Sequence, residues 1–172
     1  MVMTRAGAPA APAFDQQAVM AALGEVADPE IPAISIVDLG LVHDVRTDDA
    51  GIHVELLPTF VGCPALDMIR GAVEERLAGF GRPVDVAFSF AVPWTSERIT
   101  AAGRERLRSS GFAPPTPELV GGPTLLSLEV PVACPYCGSR RTRLDNVFGP
   151  TQCRSIRYCT ECRQPFESFK SV

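Results

Sequence analysis

Leu57-Pro58-Thr59-Phe60-Val61-Gly62-Cys63-Pro64-Ala65-Leu66 reads as the end of a β-strand, a short glycine-containing turn and a helix opened by proline. The spacing predicts a helix from Cys63 to about Ala78, with Cys63 at its very start. The first N–H groups of a helix have no intrahelical partner, and with the helix dipole they favour negative charge. A thiol placed there is expected to ionise more readily than a free cysteine. Pro64 suits the first helical position, where its missing N–H costs nothing. Cys63 is therefore a candidate reactive thiol, and strand–turn–helix is the unit around which the chain is read.

Upstream, Val19, Met20, Leu23 and Val26 form an apolar helical stripe, with Asp15 as its N-cap and a stop expected near Asp28-Pro29-Glu30. Leu41 to Arg46 predicts a strand, Thr47-Asp48-Asp49-Ala50-Gly51 a hairpin turn and Ile52 to Leu57 a second strand. In that second strand Ile52, Val54 and Leu56 alternate with His53 and Glu55. Downstream, Leu66, Ile69, Val73 and Leu77 share one helix face, and Gly79 and Gly81 end it. Val84 to Phe90 alternates as a third strand, and Thr95 or Ser96 is the expected cap of a last helix over Glu97 to Ser109. The order α-β-β-α-β-α predicts an α+β fold, a small three-stranded sheet with helices packed on it.

Past this body the chain changes character. Residues 1–13 are Ala/Pro-rich and expected to be a disordered leader; 14–113 form the α+β domain, 114–123 a Pro-rich linker and 124–172 a β-rich ribbon. Strands are expected over Leu125 to Val132 and Arg141 to Phe148, while Arg154 to Tyr158 leads into the second knuckle and Pro165 to Phe169 finishes the chain. From Cys134 onward seven basic residues face three acidic, so this part carries +4 and the remainder −8. That asymmetry supports two bodies.

Hydrophobic residues at 46% and charged residues at 21% are ordinary for a globular protein, which excludes wholesale disorder. No apolar run approaches the ~20 residues of a membrane span, and the proline-broken start makes a poor signal peptide. A cytoplasmic protein with no membrane partner is the expectation. In a reducing compartment, two C-x-x-C pairs point to metal rather than disulfides.

Those pairs, Cys134/Cys137 and Cys159/Cys162, have the layout of a zinc ribbon, in which two tight turns complete a tetrahedron of sulfur. A unit of some 40 residues buries too little core to fold alone, so the metal is expected to drive its folding. Tetrahedral sulfur accepts zinc and iron alike, so both stay open. Cys153 lies six residues before Cys159, too far to belong to that knuckle. It reads as a replacement ligand, a thiol that meets metal in transit, or a small buried apolar side chain.

In the front domain, Asp28 and Glu30 read either as solvated carboxylates at a turn or as partners of Thr59 and Cys63 in a pocket combining hard oxygen with soft sulfur. His43 and His53 read as strand imidazoles and Trp94 as core. No Ser/His/Asp order, P-loop, G-x-G-x-x-G or E-x-x-H pair occurs. A self-sufficient enzyme is thus poorly supported. The basic ribbon with Tyr136, Tyr158, Phe148 and Phe166 raises nucleic-acid binding. Four thiolates to neutralise and an acidic remainder argue against it.

Asp28-Pro29-Glu30, the run Ser35 to Val42, Thr59-x3-Cys63-Pro64 and Pro93-Trp94 with Gly103 and Leu107 resemble the MIP18-type domain, formerly DUF59. The ending is similar to the tail of the PaaD family: Cys134-Pro135-Tyr136-Cys137-Gly138-Ser139, Phe148-Gly149-Pro150-Thr151-x-Cys153, Tyr158-Cys159-x2-Cys162 and Pro165-Phe166-x3-Lys170. Together the resemblances span about residues 15–172. They imply iron–sulfur cluster assembly and a non-catalytic accessory of the multicomponent phenylacetyl-CoA epoxidase of phenylacetate degradation. The implied clients are its iron–sulfur flavoprotein reductase or its di-iron oxygenase component, with separate iron–sulfur carrier proteins as further partners. Cys63 with Asp28, Glu30, Thr59 and Cys153 is then expected to hold iron or a cluster transiently, while the ribbon binds structural metal. A purely structural subunit of the same complex is the competing expectation.

Overall fold

The computed structural model describes residues 15–115 and 132–170. The expected leader, the linker beyond residue 115 and the strand expected before Val132 lie outside these residues. The fold is α+β, with a three-stranded sheet carrying helices and a separate β-region bearing the cysteine cluster.

Helix α1 (Gln16–Leu23) starts at Asp15, whose carboxylate accepts the Gln17 N–H. It buries Val19, Ala22 and Leu23 but stops earlier than its apolar stripe suggests. Gly24 returns its N–H to Met20, and the chain turns out so that Ala27 bridges Ser35. Strands β1 (Val42–Thr47) and β2 (Ile52–Leu56) form the anticipated antiparallel hairpin. Helix α2 (Leu66–Ala78) then crosses over and delivers β3 (Val84–Phe88) parallel to β2, Val54 facing Val86. Ile69, Val73 and Leu77 of α2 are fully or almost fully buried, each worth about 1.5–3 kcal/mol. Phe90, expected in the third strand, lies beyond its end and is exposed.

The expected last helix is two pieces. Ser96–Arg98 is a 3-10 turn, and α3 runs Ala101–Ser109 with Thr100, not Thr95 or Ser96, as the N-cap. The break is tertiary in origin. The Thr100 hydroxyl donates to Asp38 at 2.8 Å while accepting the Gly103 N–H, and its own N–H bonds the Asp38 carbonyl. The Arg98 guanidinium meanwhile donates to the carbonyls of Gly40 and Val42. Gly103 permits this seating, because a Cβ there would stand 2.6 Å from the Asp38 carbonyl oxygen.

The ribbon sheet has the order β4-β7-β6-β5, with β4 Phe112–Ala113, β5 Thr142–Asn146, β6 Arg154–Cys159 and β7 Pro165–Phe169. Strand β5 is shorter at both ends than expected and leaves Phe148 exposed. Strand β4 falls where sequence suggests only the close of the front domain. It pairs parallel with β7, Phe112 opposite Glu167 and Ala113 opposite Ser168. The ribbon is thus stitched to the body. Cys153 and Phe169 also belong to the front core, alongside Leu39, Leu57 and Trp94.

Candidate functional site

Two turns build the ribbon centre. In the first, Gly138 adopts a left-handed φ of 72° and returns its N–H to the Cys134 carbonyl at 2.9 Å. In the second, Cys159 N–H bonds the Gln164 carbonyl, and Arg163 takes the left-handed position at φ 59°. The sulfurs of Cys134, Cys137, Cys159 and Cys162 all lie within 4.8 Å of one another. Cys134 and Cys162 are 3.7 Å apart and Cys137 and Cys159 3.6 Å. Four sulfurs held ~2.3 Å from a central ion at tetrahedral angles would stand about 3.8 Å apart, so the residues fit a zinc-type site. The electrostatics agree. Desolvation and the neighbouring sulfurs push the Cys162 thiol up to about 12, and desolvation raises Cys134. The Cys162 N–H lowers Cys159. A cation at the centre removes the conflict by favouring thiolate at every position.

A second site lies where the ribbon meets the body. Glu30, Thr59, Phe60, Cys63 and Pro64 of the body and Thr151, Gln152 and Cys153 of the ribbon region together line one small, partly open cavity. Asp28 stands behind this lining. Its Oδ1 accepts the N–H groups of Glu30 and Ile31, both at 2.9 Å, and so shapes the loop that carries Glu30. Burial nevertheless raises the Asp28 carboxyl above its ordinary value. All five front-site residues expected from sequence therefore gather in one region, four of them on the cavity and Asp28 supporting it.

Cys63 differs from its sequence-based description in one respect. The helix begins at Leu66 after an Ala65 N-cap, so Pro64 is not the first helical residue and Cys63 precedes the cap. Its thiol accepts a hydrogen bond from the Ala65 N–H, which lowers the pKa. Burial and the charges of Glu30 and Asp28 outweigh that bond, and the pKa is raised. The thiol is kept protonated rather than activated. Burial raises Cys153 as well. Cys153 is held firmly: its sulfur is 3.1 Å from the Thr151 hydroxyl, and its carbonyl accepts the Lys170 N–H at 2.8 Å. Arg154 locks that turn by donating to Thr151 at 2.8 Å and to Glu167 at 2.9 Å. Thr151 and Gln152 are pocket residues to which sequence reasoning gave no role in the site. The only available signal was Thr151 two places before the odd cysteine.

Among the described residues no helix is long and apolar enough to cross a membrane. His43 and His53 lie on β1 and β2 and belong to neither the pocket lining nor the cysteine cluster, and Trp94 is buried with its indole N–H donating to the Leu39 carbonyl at 3.1 Å.

Comparison with known proteins gives the same two-part division. Residues 121–170 match the PaaD zinc beta ribbon domain and residues 16–88 an iron–sulfur cluster assembly protein family. The chain is 37% identical, over 90% of its length and 92% of the relative's, to an Escherichia coli (strain K12) protein described as a "Putative 1,2-phenylacetyl-CoA epoxidase" subunit. It is 35% identical to the Fe-S protein maturation auxiliary factor YitW of Bacillus subtilis (strain 168), over 48% of this chain and 82% of that one. A crystal structure of a DUF59 domain from Bacillus anthracis superposes with a TM-score of 0.50 at 29% identity, covering 54% of this chain and 90% of that one. Neither the YitW match nor the Bacillus anthracis domain spans the whole chain, whereas the Escherichia coli relative accounts for α+β body and ribbon together. The chain belongs to the PaaD family, which joins an iron–sulfur assembly domain to a zinc β-ribbon.

Proposed function

We propose that this protein is a non-catalytic maturation factor for the metal centres of a multicomponent phenylacetyl-CoA epoxidase. The observation that carries the reading is the shared cavity. Glu30, Thr59 and Cys63 of the assembly domain and Cys153 of the ribbon line one space, with Asp28 bracing it. Two soft sulfurs and a hard carboxylate suit iron or an iron–sulfur cluster as cargo. Both thiols are held protonated, which suits metal exchange better than nucleophilic attack. The ribbon's four cysteines would hold a structural zinc that folds β5 to β7. The clients would be the iron–sulfur flavoprotein reductase or the di-iron oxygenase component, supplied by separate carrier proteins in the cytoplasm. Exposed Val61 and Phe148, next to the pocket wall, offer apolar surface on which a client would sit.

The test is reconstitution of apo-epoxidase components with wild type and with Cys63→Ser. The expected result is restored iron, sulfide and epoxidation only with wild type. Equal recovery with both proteins, and stoichiometric co-purification of this chain with the epoxidase, would instead mark a structural subunit.

A further inference from the structure

We propose that the outer edge of β3 is a self-pairing surface, to which a second copy of this chain adds its own β3 in antiparallel register. The proposal goes beyond the maturation reading and uses none of the pocket residues. Strand β3 (Val84–Phe88) pairs with β2 along one side, and besides β2 only α2 packs on it among the described elements. Its other side is an open strand edge.

The ladder fixes which backbone groups that edge presents. Ile52 N–H bonds the Pro83 carbonyl and Ser89 N–H bonds the Leu56 carbonyl, both at 2.9 Å. Backbone groups alternate sides along a strand, so Asp85 and Ala87 turn theirs toward β2 as well. Val84, Val86 and Phe88 therefore turn their N–H and C=O groups outward. Pro83 does not blunt this edge, because the N–H it lacks would have faced β2.

The other sheet edges are protected. Strand β1 has a register shift between Val42 and Asp44 and carries the charged pair Asp44–Arg46. Strand β5 has a shift between Leu144 and Asn146 and the pair Arg143–Asp145, and β4 is two residues long. Bulges, charges and shortness are the usual defences of an edge. Strand β3 runs beside β2 without a shift, and Val84, Val86 and Phe88 make it mostly apolar. A second observation marks the same strand. The Arg70 guanidinium lies 5.3 Å from the Phe88 ring centroid, and its Nε is buried without a hydrogen-bond partner. Buried donors are normally satisfied, so this side of β3 reads as incomplete in a single chain.

The strand is also complementary to itself. Only a register centred on Val86 uses all five residues. It sets Val86 against Val86, Val84 against Phe88 and Asp85 against Ala87 of the second copy. The outward groups of Val84, Val86 and Phe88 then fall in hydrogen-bonded pairs. Apolar side chains meet on the core face, and on the open face each carboxylate meets a methyl group instead of another carboxylate. A register centred on Asp85 would oppose the two carboxylates directly. Pairing joins two three-stranded sheets edge to edge. Because the two copies of β3 run in opposite directions, the loops that follow β2 and carry Thr59 and Cys63 lie at opposite ends of the seam.

Ala87 is exposed and carries the test. Full-length, zinc-loaded protein under reductant is followed by sedimentation equilibrium from micromolar to near-millimolar concentration. We expect a reversible monomer–dimer equilibrium. Ala87→Asp sets a carboxylate against Asp85 at two symmetric places and is expected to raise the dimer Kd roughly fivefold. Ala87→Lys supplies the opposite charge and is expected to lower it by a similar factor. A folding defect would not give opposite signs. In wild type, the amides of Val84, Val86 and Phe88 are expected to exchange hydrogen more slowly as the concentration rises. A chain that stays monomeric overturns the proposal, even if another protein protects those amides. So does a dimer that responds alike to both substitutions, or one whose three amides exchange as fast as in the monomer.

Discussion

The indole of Trp94 packs against the ring of Phe169, their centroids 5.7 Å apart and their planes tilted by 48°. One belongs to the loop after β3 and the other to the last ribbon strand, so this contact fastens ribbon to body beside the pocket. Truncating the partner, Phe169→Ala, is expected to cost about 3–5 kcal/mol, the usual range for a buried phenylalanine. Trp94 is the single tryptophan, so its fluorescence reports the loss directly during urea unfolding. A change below about 1 kcal/mol would show that the two parts are stabilised independently.

Removing the ribbon metal is expected to reach the pocket as well. Cys153 immediately precedes β6 and its carbonyl accepts the N–H of Lys170, which follows β7; metal at the four-sulfur centre is expected to support both strands. The binding energy of such a centre is on the order of 10 kcal/mol. Chelation should therefore expose Cys153 to alkylation along with the four ligands, as read by mass spectrometry. Continued protection of Cys153 after the metal has left would separate the two sites.

The two knuckles differ at one position, and the difference is testable. Gly138 follows Cys137 and Arg163 follows Cys162, both with left-handed φ. Only glycine takes that conformation without penalty, which is roughly 1–2 kcal/mol for other residues. Arg163→Gly is expected to stabilise the ribbon by up to about 1 kcal/mol once the added chain entropy is counted. The measurable sign is slower metal loss to a competing chelator.

Acid sensitivity should arise in part from the β1–β2 turn. The N–H groups of Ala50 and Gly51 hold the Asp48 carboxyl below its ordinary value of 3.8, with His53 adding to the effect. A depressed carboxylate contributes stability above its unfolded-state pKa and loses it as pH falls through the folded-state value. Asp48→Asn keeps an oxygen acceptor for the turn but carries no charge. Wild type should be the more stable near neutrality, and the gap should close as pH drops below 3.8. A gap that persists unchanged into acid would contradict this account; urea midpoints across the range decide it.

Much of this was legible from residue order because the signals were local. Ile52, Val54 and Leu56 alternate and do face the core, Asp15 does cap α1, and the paired C-x-x-C turns do meet. Interactions between distant segments were not legible. Thr100 splits the last helix because Asp38, 62 residues earlier, claims its hydroxyl. Two residues at Phe112–Ala113 form a strand only because β7 lies beside them. The acidity of Cys63 was misjudged for the same reason: the nearby helix start was visible, whereas burial and the Glu30 and Asp28 charges come from elsewhere. Nor does spacing reveal that Cys153 lines the same pocket as Cys63, since no periodicity links positions ninety residues apart.

The parallel pairing of β4 with β7 also sets an order in time. On the ribosome the α+β body, with Cys63 and the Glu30 loop, is translated well before Thr151, Cys153 and β7. A nascent chain halted before Pro165 can form the first sheet, but it lacks the strand that seats the ribbon part of the cavity lining. The complete lining of that cavity, with Cys63 on an early segment and Cys153 on a late one, is therefore assembled only near the end of synthesis.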